Sequence, residues 1–306
     1  MSLTIENNIL MKNGKPFFYL ADTCWSAFTN IKDNDWDYYL DYRKSQGFNT
    51  LQINILPQWD ASATDLCYEP FEVIDGKYNY KKLNLSYFEH ADKMCARAKE
   101  KGFELALVIM WCNFVPDTWA SQFYSKGIMP IDCIDNYINI IHETFTKYEP
   151  LYIISGDTDF NTEQCIEYYV KCAKQIKELA PNCLYTTHIK GRYTYIPDNL
   201  YSYLDLCFYQ SGHNAQNLGM PYLLAEEMAD KYKGKPVINS EPCYEDMGYS
   251  RQMYGRWSKE DIIRAAWMSL LSGASAGITY GAAGIYSWHT TNKGFEASLG
   301  EGFATP

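Results

Sequence analysis

The chain has 306 residues, a hydrophobic share of 47% and a formal net charge of −10. That is enough for one large core, and long enough for a (β/α)₈ barrel, which takes roughly 250 residues. The acidic balance excludes a surface of clustered Lys and Arg, and with it a nucleic-acid partner; no run reaches the ~18 apolar residues of a membrane span.

Apolar strand-like runs alternate with helical patterns in chain order, which is the signature of a parallel α/β protein. Residues 4–12 and 15–21 flank Asn13-Gly14, a two-residue hairpin signal, and the second arm continues as barrel strand one, ending at Asp22. A helix over 34–46 stops at Gly47, strand two covers 48–56, and 57–85 is Pro-, Asp- and Tyr-rich and reads as an extended loop. Helix 86–101 leads to strand three at 103–110, and helix 131–147 to strand four at 151–155. Helix 161–179 precedes strand five at 183–187, followed by strand six at 204–209. A helix near 220–232 precedes strand seven at 236–240; a helix near 258–272, opened by the capping box Ser258-Lys-Glu-Asp261, precedes strand eight at 276–280. The last 18 residues show no helical pattern. The expected fold is therefore a single-domain α/β protein over 1–306, a (β/α)₈ TIM barrel with an N-terminal β-hairpin and no regular last helix.

The polar residues carry the functional signal. Strand after strand ends in one: Asp22, Gln52 or Asn54, Trp111, Asp157, His188, Gln210, Glu241 and Tyr280. In a parallel barrel these ends meet on the face where barrel active sites lie. Two of them, Asp157 and Glu241, are carboxylates ending otherwise neutral strands of the second half, and a carboxylate pair is the equipment for splitting an acetal. From spacing alone, Asp157 reads equally as the N-cap of the helix that follows. Around the pair, Asp22, Gln52, Asn54, His188, Tyr209, Gln210, Glu245 and Tyr280 are candidates to bind sugar hydroxyls or orient Glu241. Trp25, Trp111 and Trp288 are candidate walls, since 16% of the chain is aromatic and flat rings pack on sugar C–H faces.

Neither a metal nor a cofactor is expected. Five histidines are present, none at ligand spacing, and no dinucleotide fingerprint appears. Ten cysteines without a Cys-x-x-Cys pair, and no signal profile over the first eight residues, point to a reducing, cytoplasmic setting. The expected partner is a carbohydrate substrate, and the rival reading is a sugar-binding barrel without turnover.

Several segments resemble the apiosidase-like glycoside hydrolases, a group related to the retaining (β/α)₈ glycosidases. They are Gly-Lys-Pro-Phe-Phe-Tyr-Leu-Ala-Asp-Thr-Cys-Trp (14–25), Arg-Lys-Ser-Gln-Gly-Phe-Asn (43–49), Tyr-Phe-Glu-His-Ala-Asp (87–92) and Ile-Ile-Ser-Gly-Asp (153–157). Lys-Pro-Val-Ile-Asn-Ser-Glu-Pro-Cys-Tyr-Glu (235–245) and the run from Arg264 through Gly281 to Trp288 complete them. The resemblance implies Asp157 as acid/base, Glu241 as nucleophile and hydrolysis with retention. Two departures stand out: Ser155 precedes Gly156-Asp157 where the group usually has a second Gly, and a short Asp stands where the wider superfamily ends strand four in Asn-Glu.

Overall fold

Eight parallel strands wind into a barrel with helices outside it. The computed structural model describes residues 3–59, 68–250 and 253–288. At the N-terminus, β1 (Leu3–Glu6), β2 (Ile9–Lys12) and β3 (Lys15–Pro16) form an antiparallel sheet. Its turns, Asn7-Asn8 and Asn13-Gly14, each place two successive residues at positive φ, the geometry that matches strand twist in two-residue hairpins. The expected single hairpin is thus a three-strand meander. Residues 4–12 are not one arm, because they fold back at Asn7-Asn8.

The barrel follows as β4 (Tyr19–Thr23), α1 (Ala27–Asn30), α2 (Asp33–Ser45) and β5 (Thr50–Asn54). The segment read as an extended loop contains a hairpin, β6 (Phe71–Ile74) and β7 (Lys77–Leu83), turning at Asp75-Gly76 with φ of 48° and 76°. Phe71, Tyr78 and Tyr80 bury its inner face, so a sheet, not a loop, covers this side; positions 60–67 of the expected loop lie outside the described residues. Then come α3 (Leu85–Glu100), β8 (Glu104–Trp111), α4 (Ile134–Phe145), β9 (Leu151–Gly156), α5 (Glu163–Leu179) and β10 (Leu184–Thr186). The chain continues through α6 (Asp198–Tyr201), β11 (Cys207–Gln210), α7 (Met220–Lys231), β12 (Val237–Glu241), α8 (Lys259–Leu271) and β13 (Gly277–Tyr280). The stretch after Trp288, where no last helix was expected, lies outside the described residues.

The ladder runs β10-β9-β8-β5-β4-β13-β12-β11, all parallel. The remaining seam, between β10 and β11, is stitched by backbone and side-chain hydrogen bonds alike. Asp205 N donates to Tyr185 O at 2.8 Å, Tyr185 N donates to Asp205 Oδ2 at 2.8 Å, and Thr186 Oγ1 donates to Leu206 O at 2.9 Å.

Burial follows the sequence periodicity. All eight residues of β8 are buried, as a strand covered on both faces requires. On α5 the buried positions Cys165, Ile166, Tyr169, Cys172, Ala173 and Ile176 recur at helical spacing. The nine described cysteines are buried and unpaired, and burial pushes the thiols of Cys172, Cys183, Cys207 and Cys243 up to about 12. They act as small core hydrophobes. The capping box of α8 forms as read, Ser258 and Asp261 binding each other's backbone N–H. Among the described residues, no helix is long and apolar enough to cross a membrane.

Candidate active site

A strand presents alternate residues to the barrel interior, so position along it decides which polar groups reach the mouth. On β4, Tyr19 points inward: its hydroxyl donates to Gln52 Oε1 at 3.0 Å and its ring packs edge-on against Phe208. Asp22 therefore points outward. There its Oδ2 accepts from Tyr39 Oη and Arg43 Nε of α2, both at 2.6 Å. The sequence-based expectation placed Asp22 among the sugar contacts, but the pleat turns it to the helix layer. Tyr280, beside it in register, likewise turns outward and donates to Glu245 Oε2 at 2.6 Å, with the Arg43 guanidinium over its ring. Tyr209 points at α7, donating to Pro221 O at 2.9 Å, and Trp288 sits edge-on against Tyr39. None of Asp22, Tyr209, Glu245, Tyr280 and Trp288 lines the cavity.

That cavity, about 240 Å³, opens where the strands end. Of the expected residues, Asp157, Glu241, Trp25, Trp111 and Gln210 line it. Three more lie one layer behind. Gln52 Nε2 donates to Ser240 O at 2.9 Å and Thr23 Oγ1 at 3.2 Å, and Asn54 Nδ2 holds the lining residue Gln58 at 3.0 Å. His188, fully buried, lies against the rings of Trp25 and Trp111, each with centroids 5.5 Å away.

Glu241 reaches the cavity through a bulge. Asn239 pairs with Tyr209 and Glu241 pairs with Gln210, which leaves Ser240 as an extra residue in β12. Asn239 turns outward and donates to Ser269 Oγ of α8 at 3.0 Å. The two residues after it then share one side. Ser240 Oγ stands 2.8 Å from His188 Nδ1, and Glu241 Oε2 stands 2.9 Å from His188 Nε2, at ion-pair distance but off the hydrogen-bond line. Ser240 Oγ gives its proton to Tyr209 O at 3.1 Å, so it accepts from His188 Nδ1. On the other carboxylate oxygen, His213 Nε2 donates to Glu241 Oε1 at 2.8 Å. Burial pushes the Glu241 carboxyl up, but the two imidazoles outweigh it and hold it at about 2. Glu241 is therefore an anion throughout the neutral range. Among the described residues, no group of three or more His, Cys, Asp or Glu is placed to hold a metal ion.

Asp157 is presented differently. Gly156 ends β9 against Trp111, and a Cβ there would stand 2.1 Å from Trp111 Cε3, so the position requires glycine. Asp157 then takes φ of 50°, a left-handed conformation that Asp tolerates better than most side chains. Its carbonyl accepts from Trp119 Nε1 at 2.8 Å. The helix-cap alternative does not apply: the cap of α5 is Thr162, whose Oγ1 accepts from Cys165 N at 3.2 Å.

The other walls come from loops. Trp59 and Trp119 meet edge-on at 5.4 Å, and Tyr244 takes a hydrogen bond from Trp25 Nε1 at 3.1 Å while packing on the His213 ring. Lys190, Arg192 and Tyr286 also line the cavity. The sequence reading selected none of these, because it looked at strand ends. The one available signal was His213, three residues past the end of β11.

A profile of the apiosidase-like catalytic domain matches residues 5–301. Among solved structures, a glycoside hydrolase family 5 protein from Bacteroides vulgatus is 23% identical, with a TM-score of 0.81 over 99% of this chain and 66% of that one. A second, described as a glycoside hydrolase, is 24% identical with a TM-score of 0.80 over 100% of this chain and 69% of its own. An endo-1,4-β-D-mannanase from Thermotoga petrophila is 16% identical, with a TM-score of 0.58 over 91% of this chain and 94% of that one. These likenesses are of fold, and the chain spans about two thirds of the length of the first two structures. A search of curated proteins finds no match. The chain belongs to the apiosidase-like family, as a glycosidase catalytic domain.

Proposed function

We propose that the domain hydrolyses O-glycosidic bonds with retention, Glu241 acting as nucleophile and Asp157 as acid/base. The observation that carries this reading is the pair of carboxylates on one aromatic-walled cavity, one of them held ionised by two imidazoles. A Glu241 oxygen attacks the anomeric carbon as the bond to the leaving oxygen breaks, and Asp157 passes its proton to that oxygen. Water then gives a proton to the Asp157 carboxylate, its oxygen joins the anomeric carbon, and Glu241 is released. Trp25, Trp59, Trp111 and Trp119 offer ring faces to the sugar, and Gln58 and Gln210 offer amides to its hydroxyls. The family points to apiose-bearing, plant-type oligosaccharides as substrates; if the protein acts in the cytoplasm, small glycosides are favoured over polymers.

The test is a screen of aryl glycosides and plant-glycan oligosaccharides, followed by proton NMR of the first-formed anomer. Glu241→Gln is expected to lose on the order of 10³-fold or more in kcat/KM. Asp157→Asn is expected to lose roughly 10²–10⁴-fold on substrates with poor leaving groups. An inverted product, or a Glu241→Gln variant as fast as wild type, overturns the mechanism. Binding without turnover across the whole screen replaces it with a sugar-binding barrel.

A further inference from the structure

The loop carrying Asp157 is joined to the loop after β10 by a backbone bridge between Thr158 and Ile189, and Lys190 N donates to Thr158 O at 2.8 Å. This places Lys190 beside Asp157 on the cavity wall. Its Nζ donates to Asp159 Oδ2 at 2.7 Å. Asp159 is buried, with its side chain 2% exposed, and its Oδ1 has no hydrogen-bond partner. Burial works against the Lys190 charge, but the Asp159 contact, joined by the charge of Asp157, outweighs it and raises the lysine. A nearly buried carboxylate thus stands two residues from Asp157, neutralised by one cation that both acidic groups feel.

We propose that the Lys190–Asp159 ion pair is a positioning device for Asp157, fixing its loop and balancing one positive against one negative charge so that the carboxyl can both hold and release its proton. The inference rests on the acid/base role given to Asp157 above. Cys112 after β8 feels the Asp157 charge, and the cavity wall shared with Asp157 also carries Arg192 after β10, His213 after β11, Glu241 on β12, Tyr244 and Tyr286. Lys190 is tied to the Asp157 loop both through its backbone N–H on Thr158 O and through its ion pair with the buried Asp159.

The pair has a signature that scaffolding lacks. Removing the cation leaves Asp159 as an uncompensated anion and tightens proton binding at Asp157; removing the anion leaves the cation and loosens it. In kcat/KM against pH, the basic limb is therefore expected to move up in Lys190→Met and down in Asp159→Asn. Each displacement should be roughly half a pH unit to one pH unit. Lys190→Arg should restore the wild-type limb. Limbs that stay put, or move the same way while kcat falls, overturn the proposal, with thermal melts confirming that each variant is folded. Asp157→Asn separates the two readings. If that variant loses the basic limb while the pair variants do not displace it, this inference fails alone; if it keeps wild-type activity, the acid/base reading fails and takes this inference with it.

Discussion

The two carboxylates sit on one cavity, and different features of the fold hold each of them there. Glu241 is gripped at both oxygens: a bulge turns it inward, His188 stands against Oε2 and His213 donates to Oε1. Asp157 is fixed through its backbone, by a left-handed residue after an obligatory glycine, a carbonyl bonded to Trp119 and a bridge one residue on. A group that must remain an anion profits from donors on its carboxylate, while a group that must gain and lose a proton profits from a fixed backbone and balanced charge nearby.

The comparison breaks most readily at the imidazoles. His188→Ala or His213→Ala is expected to cost on the order of 10²-fold in kcat/KM, as for a lost preorganised donor. It should also move the acid limb upward, because the groups holding Glu241 at about 2 are removed. An acid limb that stays in place would show that the histidines only fill space. On the Asp157 side, Gly156→Ala drives a methyl into the Trp111 ring. The expected cost is roughly 1–3 kcal/mol in urea unfolding and a loss of about 10²-fold in kcat/KM through displacement of Asp157. Full activity in that variant would mean that the loop adapts and its glycine is incidental. The smallest effect is in acid stability. The folded carboxyl of Glu241 lies below its ordinary value of 4.5, so its contribution is fully present above pH 4.5 and fades as pH falls toward 2. Wild type should exceed Glu241→Gln by on the order of 2 kcal/mol at pH 6, with the gap narrowing below pH 4.5 and closing only as pH nears 2. A gap independent of pH would contradict the clamp.

Much of this was legible before any coordinates. Eight apolar runs separated by helical patterns specify a parallel barrel, and Glu241 at the end of an uncharged run stands out as a candidate that the fold brings to the cavity. What sequence could not supply was phase. Asp22 and Glu241 both end strands, yet the pleat sends Asp22 to Arg43 on the helix layer, and an extra Ser240 turns Glu241 inward. A one-residue offset decides the side, and no local propensity encodes it. The loop walls, Trp59, Trp119, Lys190 and His213, depend on contacts far apart in the chain. The hairpin at Asp75-Gly76 was different: its turn signal was there to be read, in a segment dismissed for its polarity.

The seam between β10 and β11 has a consequence for the protein's behaviour among its own copies. A fully closed barrel has no strand edge, whereas a gap in the ladder exposes backbone donors and acceptors to strand addition by another chain, which is how aggregation starts. Here β10 is only three residues long, its Tyr185 N–H is occupied by the Asp205 carboxylate, and the Tyr185 carbonyl is taken by Asp205 N. Asp205, with both its backbone and its carboxylate on Tyr185, thus denies this seam to an invading strand.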